Sequence, residues 1–163
     1  MQERDYDETT IRDVVTGMID AWNRGDARDF AAAFAEDADF IAFEGTHLKG
    51  RQQIVAFHQP LFDAQLHGTR LEAGVNFVRF LGPSLAIMYT WATTTLAGQT
   101  NASNSRDSMQ LFVMTRRSGE WLCEAMLNAR RLTMEQQVFA DNFATLSARD
   151  QREVSQRVAG MRH

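Results

Sequence analysis

Residues 71–95, LEAGVNFVRFLGPSLAIMYTWATTT, decide the fold class of this chain. Side chains alternate in character with a period of two on both sides of Gly82-Pro83. A period of two is typical of β-strands, and Gly-Pro marks a turn, so the stretch predicts two long strands joined tightly. The alternation predicts that one face of the first strand carries Leu71, Ala73, Val75, Phe77 and Arg79.

Two further strands are predicted downstream, at Met109–Arg116 and Trp121–Ala129, with a tight turn at Ser118-Gly119. Consecutive strands with short connections pair as an antiparallel meander. In the last strand, the alternation predicts an apolar face towards the helices made of Trp121, Cys123, Ala125 and Leu127. In that case Asn128, on the other row, reaches the helix side only through a bulge or bend.

The first 63 residues predict three helices. Apolar residues at helical spacing mark the first, and Gly25 is its expected left-handed cap. Asp26 is the expected cap of a second, short helix that carries Phe34 inward. A short strand, 40–43, precedes a third helix that begins near Gly50, and Pro60 predicts a kink or a break of this helix just before it.

Composition excludes several classes of protein. The chain has 163 residues, a net charge of −4 and one Cys. The acidic balance argues against binding nucleic acid, and a single Cys excludes an internal disulfide and fits a reducing compartment. No apolar run reaches the roughly 18 residues of a membrane span, and the polar N-terminus does not resemble a signal peptide. We therefore expect a cytoplasmic protein with no nucleic-acid or membrane partner.

The order of elements predicts an α+β fold rather than α/β, because helices and antiparallel strands are segregated along the chain. A curved antiparallel or mixed sheet around three N-terminal helices makes a cone, and its open end is a natural pocket. Capping patterns at Thr133 and Ser147 predict extra C-terminal helices within 132–163.

Several short segments together resemble the superfamily of nuclear transport factor 2, ketosteroid isomerase and the SnoaL-type polyketide cyclases, and within it the SgcJ/EcaC group of small bacterial proteins. The segments are Ala21-Trp22-Asn23-Arg24-Gly25-Asp26, Phe34-Ala35-Glu36-Asp37-Ala38-Asp39-Phe40, Lys49-Gly50-Arg51-Gln52-Gln53-Ile54, Phe57-His58-Gln59-Pro60-Leu61-Phe62, and Arg117-Ser118-Gly119-Glu120-Trp121 running on to Asn128-Ala129-Arg130. The resemblance covers about residues 10–131. It implies a cone-shaped domain over 1–131. The helical extension over 132–163 is predicted from its capping patterns and is not explained by the resemblance. Because this superfamily includes both enzymes and inert binders, the resemblance leaves enzymatic activity undecided.

Three residues are candidates for catalysis. His58 belongs to the Phe-His pair of the resemblance and is either an acid/base group in the cone or a helix histidine satisfied by a backbone carbonyl. The resemblance also marks Asn128, whose amide either binds a carbonyl or satisfies backbone at the strand end. Asp39 is a candidate base by analogy with isomerase-type relatives, or else a solvated carboxylate.

Five further residues are candidates for binding a ligand. Tyr89 and Trp91 share one face of their strand and are either aromatic walls of the cone or core packing. Gln110 is polar in an apolar strand. The remaining two, His47 and Arg79, are either ligand contacts or exposed groups at a loop and a sheet rim. The sequence lacks a Gly-rich phosphate loop, an HExxH motif and paired cysteines, so we predict no cofactor and no metal.

Two functions remain open. One is a cofactor-free enzyme that transfers protons on a hydrophobic, oxygenated metabolite, as a cyclase, isomerase or dehydratase of a biosynthetic pathway does. The other is a non-catalytic ligand-binding or accessory protein. Under either function we predict a homodimer through an open sheet face, with Phe112, Met114 and Met126 on the contacting row.

Overall fold

Three helices come before four long strands, as the sequence predicts. The computed structural model describes residues 2–100 and 106–131, and the single position 152. The helices and strands are α1 Gln2–Arg24, α2 Ala27–Ala32, β1 Phe34–Ile41, β2 His47–Lys49, α3 Gly50–Asp63, β3 Arg70–Gly82, β4 Leu85–Thr95, β5 Ser108–Arg117 and β6 Glu120–Arg130. The predicted C-terminal helices of 132–163 lie outside the described residues.

The six strands form one curved, unclosed sheet in the order β2-β1-β6-β5-β4-β3. Strands β3 to β6 pair antiparallel, as do β1 and β2, while β1 pairs parallel with β6. Helix α1 packs mainly over β3, at one edge of the sheet, and helix α3 packs over β1, near the other edge. The central strands lie between these two edges. The prediction of an α+β fold with a mixed, curved sheet around helices is confirmed.

The predicted start of α2 and end of α1 are confirmed. Gly25 adopts a φ of +69°, which L side chains rarely adopt, and it ends α1. The side chain of Asp26 accepts a hydrogen bond from the backbone N–H of Asp29 at 2.9 Å. This bond satisfies one of the free donors at the start of α2.

Of the kink or break predicted just before Pro60, the break is wrong, because α3 continues through Pro60 to Asp63. Proline removes one backbone donor, but the last turn is held from outside. The Gln59 amide donates to the carbonyl of Gly25 and accepts from the N–H of Ala27. Phe62 is buried and packs edge-on against Trp22 at 5.0 Å between ring centroids. These contacts hold the last turn of α3 in place although Pro60 lacks a backbone donor.

Strand β1 begins at Phe34, six residues before the predicted strand. Phe34 is expected at the end of α2, because its spacing from Phe30 is helical. It is instead fully buried and paired with Cys123 of the parallel strand β6. Likewise, His47 lies in the short strand β2 rather than in a loop. Neither strand start has a local signal in the sequence. The start of β1 depends on pairing with β6, which is remote in sequence, and β2 has only three residues.

Two β-bulges reverse the predicted faces of their strands. In β3 the register shifts between Val75 and Phe77, so Val78 packs on the core while Phe77 and Arg79 are exposed. In β6 the register shifts at Glu124, so the buried row passes from Cys123 to Met126. Both predicted single faces are therefore wrong, since a bulge inserts one residue and moves every later side chain to the opposite face.

We call the sheet surface under the helices the inner face and the opposite surface the outer face. The inner face carries the buried residues Phe40, Met88, Phe112, Met114, Cys123 and Met126. The predicted dimer contacts Phe112, Met114 and Met126 thus lie in the core, which corrects that prediction. Within the described part of the chain, no helix has the combination of length and apolar character needed to cross a bilayer.

Candidate functional site

His58 lies on the buried side of α3, one turn from Ile54 and one turn from Phe62. The residue is 5% exposed, and five aromatic rings lie 5.0–6.3 Å from its ring centroid. These rings belong to Trp22, Phe30, Phe40, Phe57 and Phe62. The Nδ1 atom hydrogen-bonds the carbonyl of Ile54 at 2.8 Å.

This bond fixes the tautomer of the neutral ring. A carbonyl oxygen only accepts, so Nδ1 carries the proton and Nε2 keeps a lone pair. Burial lowers the pKa of His58 below its ordinary value, against a smaller opposing effect of the Ile54 bond. The ring is therefore neutral near pH 7. No hydrogen bond joins Nε2 to any of the described residues, so among them it is a free base.

A row of polar side chains crosses the inner face of the three central strands. Thr90 of β4 lies opposite Gln110 of β5, and Gln110 lies opposite Asn128 of β6. The Thr90 hydroxyl donates to Gln110 Oε1 at 2.5 Å, and Gln110 Nε2 donates to Asn128 Oδ1 at 3.0 Å and to Ser108 Oγ at 2.8 Å. We call Thr90, Ser108, Gln110 and Asn128 the polar row.

The structure brings His58 and the polar row to the same side of the sheet. The ring centroids of Phe40 and His58 lie 5.2 Å apart. Phe40 is paired with Met126 of β6, and Met126 comes two residues before Asn128. Asn128 reaches the inner face because the bulge at Glu124 reverses the alternation, and it is half-buried there. The sequence prediction that Asn128 needs a bulge agrees with this geometry.

Asp39 and His47 lie elsewhere. Ala38 and Phe40 point into the core, so Asp39 between them faces outward, where it accepts from His47 Nε2 at 2.7 Å and from Lys49 Nζ at 3.0 Å. Hydrogen bonds from His47 and then Lys49 hold the pKa of Asp39 below its ordinary value. An ionised carboxylate on the outer face is not a base for the cone, so the structure contradicts a shared site of Asp39, His47 and His58.

Tyr89, Trp91 and Arg79 also lie on the outer face. Tyr89 stacks on Phe77 with 5.6 Å between centroids, and Trp91 is 40% exposed with its indole over Gly74. Arg79 is exposed. Since their buried neighbours Met88 and Thr90 occupy the inner face, these two aromatics do not wall the cone. The prediction that they line the pocket is wrong for this reason.

A separate cleft of about 340 Å³ opens beside the N-terminus of α1. Its walls are Glu3, Arg4, Asp7, Phe80, Gly82 and Pro83. Asp7 accepts a hydrogen bond from Trp121 at the start of β6. Trp121 lies seven residues, or about 23 Å, along this strand from Asn128. The cleft thus belongs to the opposite end of the sheet from the polar row.

Sequence reasoning missed Thr90 and Ser108. Both are polar and buried in strands whose neighbouring inner residues are apolar, which is the same signal that marked Gln110. Counting polar residues at inward positions finds such a row only once strand register is known. Within 2–100 and 106–131, no three His, Cys, Asp or Glu side chains cluster so as to hold a metal ion. The absence of any cofactor stays a prediction.

Comparison with known proteins gives a family and a fold. A sequence profile described as SnoaL-like domain matches residues 15–124. A domain of unknown function with a cystatin-like fold from Nostoc punctiforme is 52% identical, with 94% of each chain covered and a TM-score of 0.84. No curated protein matches.

Two more distant structures share the fold. A ketosteroid isomerase-like protein from Erwinia carotovora atroseptica has 13% identity over 77% of this chain and 96% of its own, with a TM-score of 0.61. The protein Aln2 from a Streptomyces species has 18% identity over 75% of this chain and 89% of its own, with a TM-score of 0.64. At these identities, the likeness concerns the fold alone.

Proposed function

Because this chain belongs to the SnoaL-like domain family, we propose that it binds an uncharged, oxygen-bearing hydrophobic molecule on the inner face and transfers a proton on it through His58. The observation that carries the proposal is the state of the His58 ring, which is buried, neutral and bonded through Nδ1. Among the described residues, His58 is the one buried histidine, and its Nε2 lone pair is therefore the candidate base of the inner face. A base with a pKa near or below the working pH is suited to this chemistry.

The charge of the inner face supports an uncharged ligand. Asp7 is the one charged side chain among the described residues that are buried and polar, and Trp121 and Arg116 bind it at the far end of the sheet. The polar row is uncharged, and the rings around His58 are aromatic. A ligand carboxylate or phosphate would lose its hydration there without gaining a cationic partner.

Enolisation is the reaction that these groups fit. His58 Nε2 takes a proton from the carbon next to a carbonyl, so a C–H bond breaks and an N–H bond forms. The electron pair moves to the carbonyl oxygen, which the Asn128 amide holds by a hydrogen bond. The imidazolium then returns the proton to the same carbon or to a conjugated one. Such general acid–base catalysis contributes about 10²- to 10⁴-fold.

Hydrogen–deuterium exchange tests this function without knowledge of the natural substrate. We expect the protein in D₂O to speed loss of the α-proton NMR signals of 2-tetralone, a flat uncharged ketone. His58→Gln should return the rate to that of buffer. His67→Gln, which changes an exposed histidine in the same way, is the matched control and should keep the rate. Equal rates for wild type and His58→Gln contradict the proposal.

A non-catalytic binder is the second candidate. It is supported by the Ile54 bond, which satisfies one nitrogen of His58, and by the absence of a hydrogen bond between the ring and a carboxylate among the described residues. Under this function, 2-tetralone binds to wild type and to His58→Gln, as followed by ligand-observed NMR, and neither protein exchanges its α-protons. Binding without exchange therefore selects the binder over the enzyme.

We also propose that a second copy of the chain covers the outer face. Tyr89, Leu111 and Leu127 lie side by side across three strands, and the two leucines are 43% and 49% exposed. Charged groups of both signs lie towards the two sheet edges, with Lys49 and Asp39 near one and Arg79 near the other. An apolar centre with a polar rim of mixed sign is typical of a self-complementary interface.

Light scattering after size exclusion tests the dimer. Wild type should elute at twice the mass of the chain, and Leu111→Asp should elute as a folded monomer because it buries an unpaired charge at the interface centre. Tyr6→Asp, at a 70% exposed aromatic of α1, is the matched control and should stay dimeric. A monomeric wild type refutes this assembly.

A further inference from the structure

The polar row has a direction, set by the hydrogen that each group contributes. Ser108 Oγ donates to the backbone carbonyl of Ala92 at 3.5 Å, so its hydroxyl proton is used and its oxygen accepts. The amide nitrogen of Gln110 faces Ser108 Oγ at 2.8 Å, and its second hydrogen goes to Asn128 Oδ1 at 3.0 Å. The Thr90 hydroxyl completes the set by donating to Gln110 Oε1.

One amide group of the polar row is left unpaired among the described residues. Both hydrogens of Gln110 Nε2 and its oxygen have partners, and Asn128 Oδ1 is occupied. No described residue accepts from Asn128 Nδ2, so the half-buried amide offers two N–H donors on the inner face. An amide bonded the other way would offer its oxygen instead.

We propose that Gln110, held by Ser108 and Thr90, is a positioning residue that makes the site select ligands with a carbonyl oxygen over ligands with an N–H donor. The inference rests on the proposed function, because it assigns the ligand class of the same inner face. Gln110 acts through Asn128: it fixes which end of the Asn128 amide faces the ligand. A site built to donate leaves its donors unpaired when an N–H ligand binds, which lowers affinity for that ligand.

Three flat tricyclic probes of similar shape distinguish the effect of hydrogen bonding on affinity from the effect of shape. Fluorenone carries a carbonyl, carbazole carries an N–H at the matching position, and fluorene carries neither. With dissociation constants from tryptophan fluorescence quenching, we expect wild type to bind fluorenone about tenfold more tightly than carbazole, the value of one hydrogen bond. Fluorene should fall between them.

Gln110→Glu is the decisive variant. In its ionised form the new carboxylate has no hydrogen to give, so Asn128 Nδ2 turns to donate to it and Asn128 Oδ1 then faces the ligand. Carbazole should therefore bind more tightly than fluorenone, although the substituted residue does not touch the ligand. Gln110→Met, which keeps the length of the side chain but removes both polar atoms, frees the Asn128 amide and should bring the two affinities to within about twofold.

The outcomes distinguish this inference from the proposed function. If fluorene binds and the preference for fluorenone is the same in wild type, Gln110→Glu and Gln110→Met, the positioning role is refuted while the binding function stands. If none of the three probes binds wild type, both fail. Should Gln110→Glu not fold, judged by circular dichroism, the loss of preference in Gln110→Met carries the test. A merely structural role of Gln110 lowers all three affinities together and leaves their ratios unchanged.

Discussion

The indole Nε1 of Trp121 donates to Oδ1 of Asp7 at 3.0 Å, a bond between residues 114 positions apart. Asp7 is buried, and its other oxygen accepts from Arg116 Nη1 at 3.2 Å. The pair ties the N-terminal turns of α1 to the start of β6, so the helix is anchored at the end of the sheet away from the polar row.

Loss of this anchor should cost stability. Asp7→Ala leaves the Trp121 N–H buried without an acceptor and removes the partner of Arg116, so we expect the free energy of unfolding to fall by about 2–4 kcal/mol. Urea denaturation followed by circular dichroism measures it. Asp5→Ala, at an exposed carboxylate on the same helix, should change stability by less than about 0.5 kcal/mol. Equal effects of the two substitutions would show that the anchor is not stabilising.

Replacing each of two glycines by alanine should change the free energy of unfolding in opposite directions. A Cβ on Gly50 would lie 2.6 Å from the backbone oxygen of Glu36, and its φ of +76° disfavours any other residue. We expect Gly50→Ala to lower the free energy of unfolding by more than about 2 kcal/mol, because backbone cannot move aside cheaply. A Cβ on Gly17, which is exposed within α1, would have no other group within 4 Å, so Gly17→Ala should raise stability by about 0.5–1 kcal/mol.

Thermal unfolding of the two alanine variants beside wild type checks this pair. The midpoint should fall for Gly50→Ala and rise for Gly17→Ala. A tolerated Gly50→Ala would mean that α3 does not approach β1 as closely as described. Since α3 carries His58, the same result would also weaken the placement of the candidate base.

The class of fold was predictable because its signals are local. Strand alternation, the turn at Gly82-Pro83 and the caps at Gly25 and Asp26 each depend on a few neighbouring residues. The resemblance to the SnoaL-like superfamily is confirmed, while membership of the SgcJ/EcaC group stays a prediction. Parallel pairing of β1 with β6 was not predictable, because it joins segments almost 90 residues apart.

The candidate site was only half predictable, because the sequence pattern does not say which face of a strand turns inward and does not reveal bulges that exchange the two faces. Gln110 and Asn128 were singled out as polar residues in apolar strands, and the structure joins them by a hydrogen bond. Asp39, Tyr89 and Trp91 were selected by residue type, and all three point to the outer face. A one-residue bulge leaves no mark in the hydrophobic pattern, so faces assigned by alternation fail beyond it.

The indole of Trp91 and the bare backbone of Gly74 fit together on the outer face. A Cβ on Gly74 would lie 2.6 Å from Trp91 Nε1, so Gly74→Ala should displace the indole. Because Trp91 is 40% exposed and free to turn, we expect a loss of stability below about 1 kcal/mol and a change in fluorescence emission. The emission change should vanish in a Trp91→Phe background. Persistence of the change there would assign it to Trp22 or Trp121 instead.

The buried neutral state of His58 should make stability depend on pH. Burial lowers its pKa in the folded protein, so between that value and the unfolded value of about 6.5 the unfolded chain binds more protons. Stability from this residue is therefore fully present above about pH 6.5 and is lost as the pH falls through the folded pKa, with a slope of at most about 1.4 kcal/mol per pH unit. Urea denaturation at half-unit steps from pH 7.5 to 5 measures the slope. In His58→Gln the slope should decrease by up to one proton, whereas His67→Gln should retain the wild-type slope. An unchanged slope in His58→Gln would mean that the folded and the unfolded chain bind the same number of protons at this residue, so burial would not be what keeps the ring neutral.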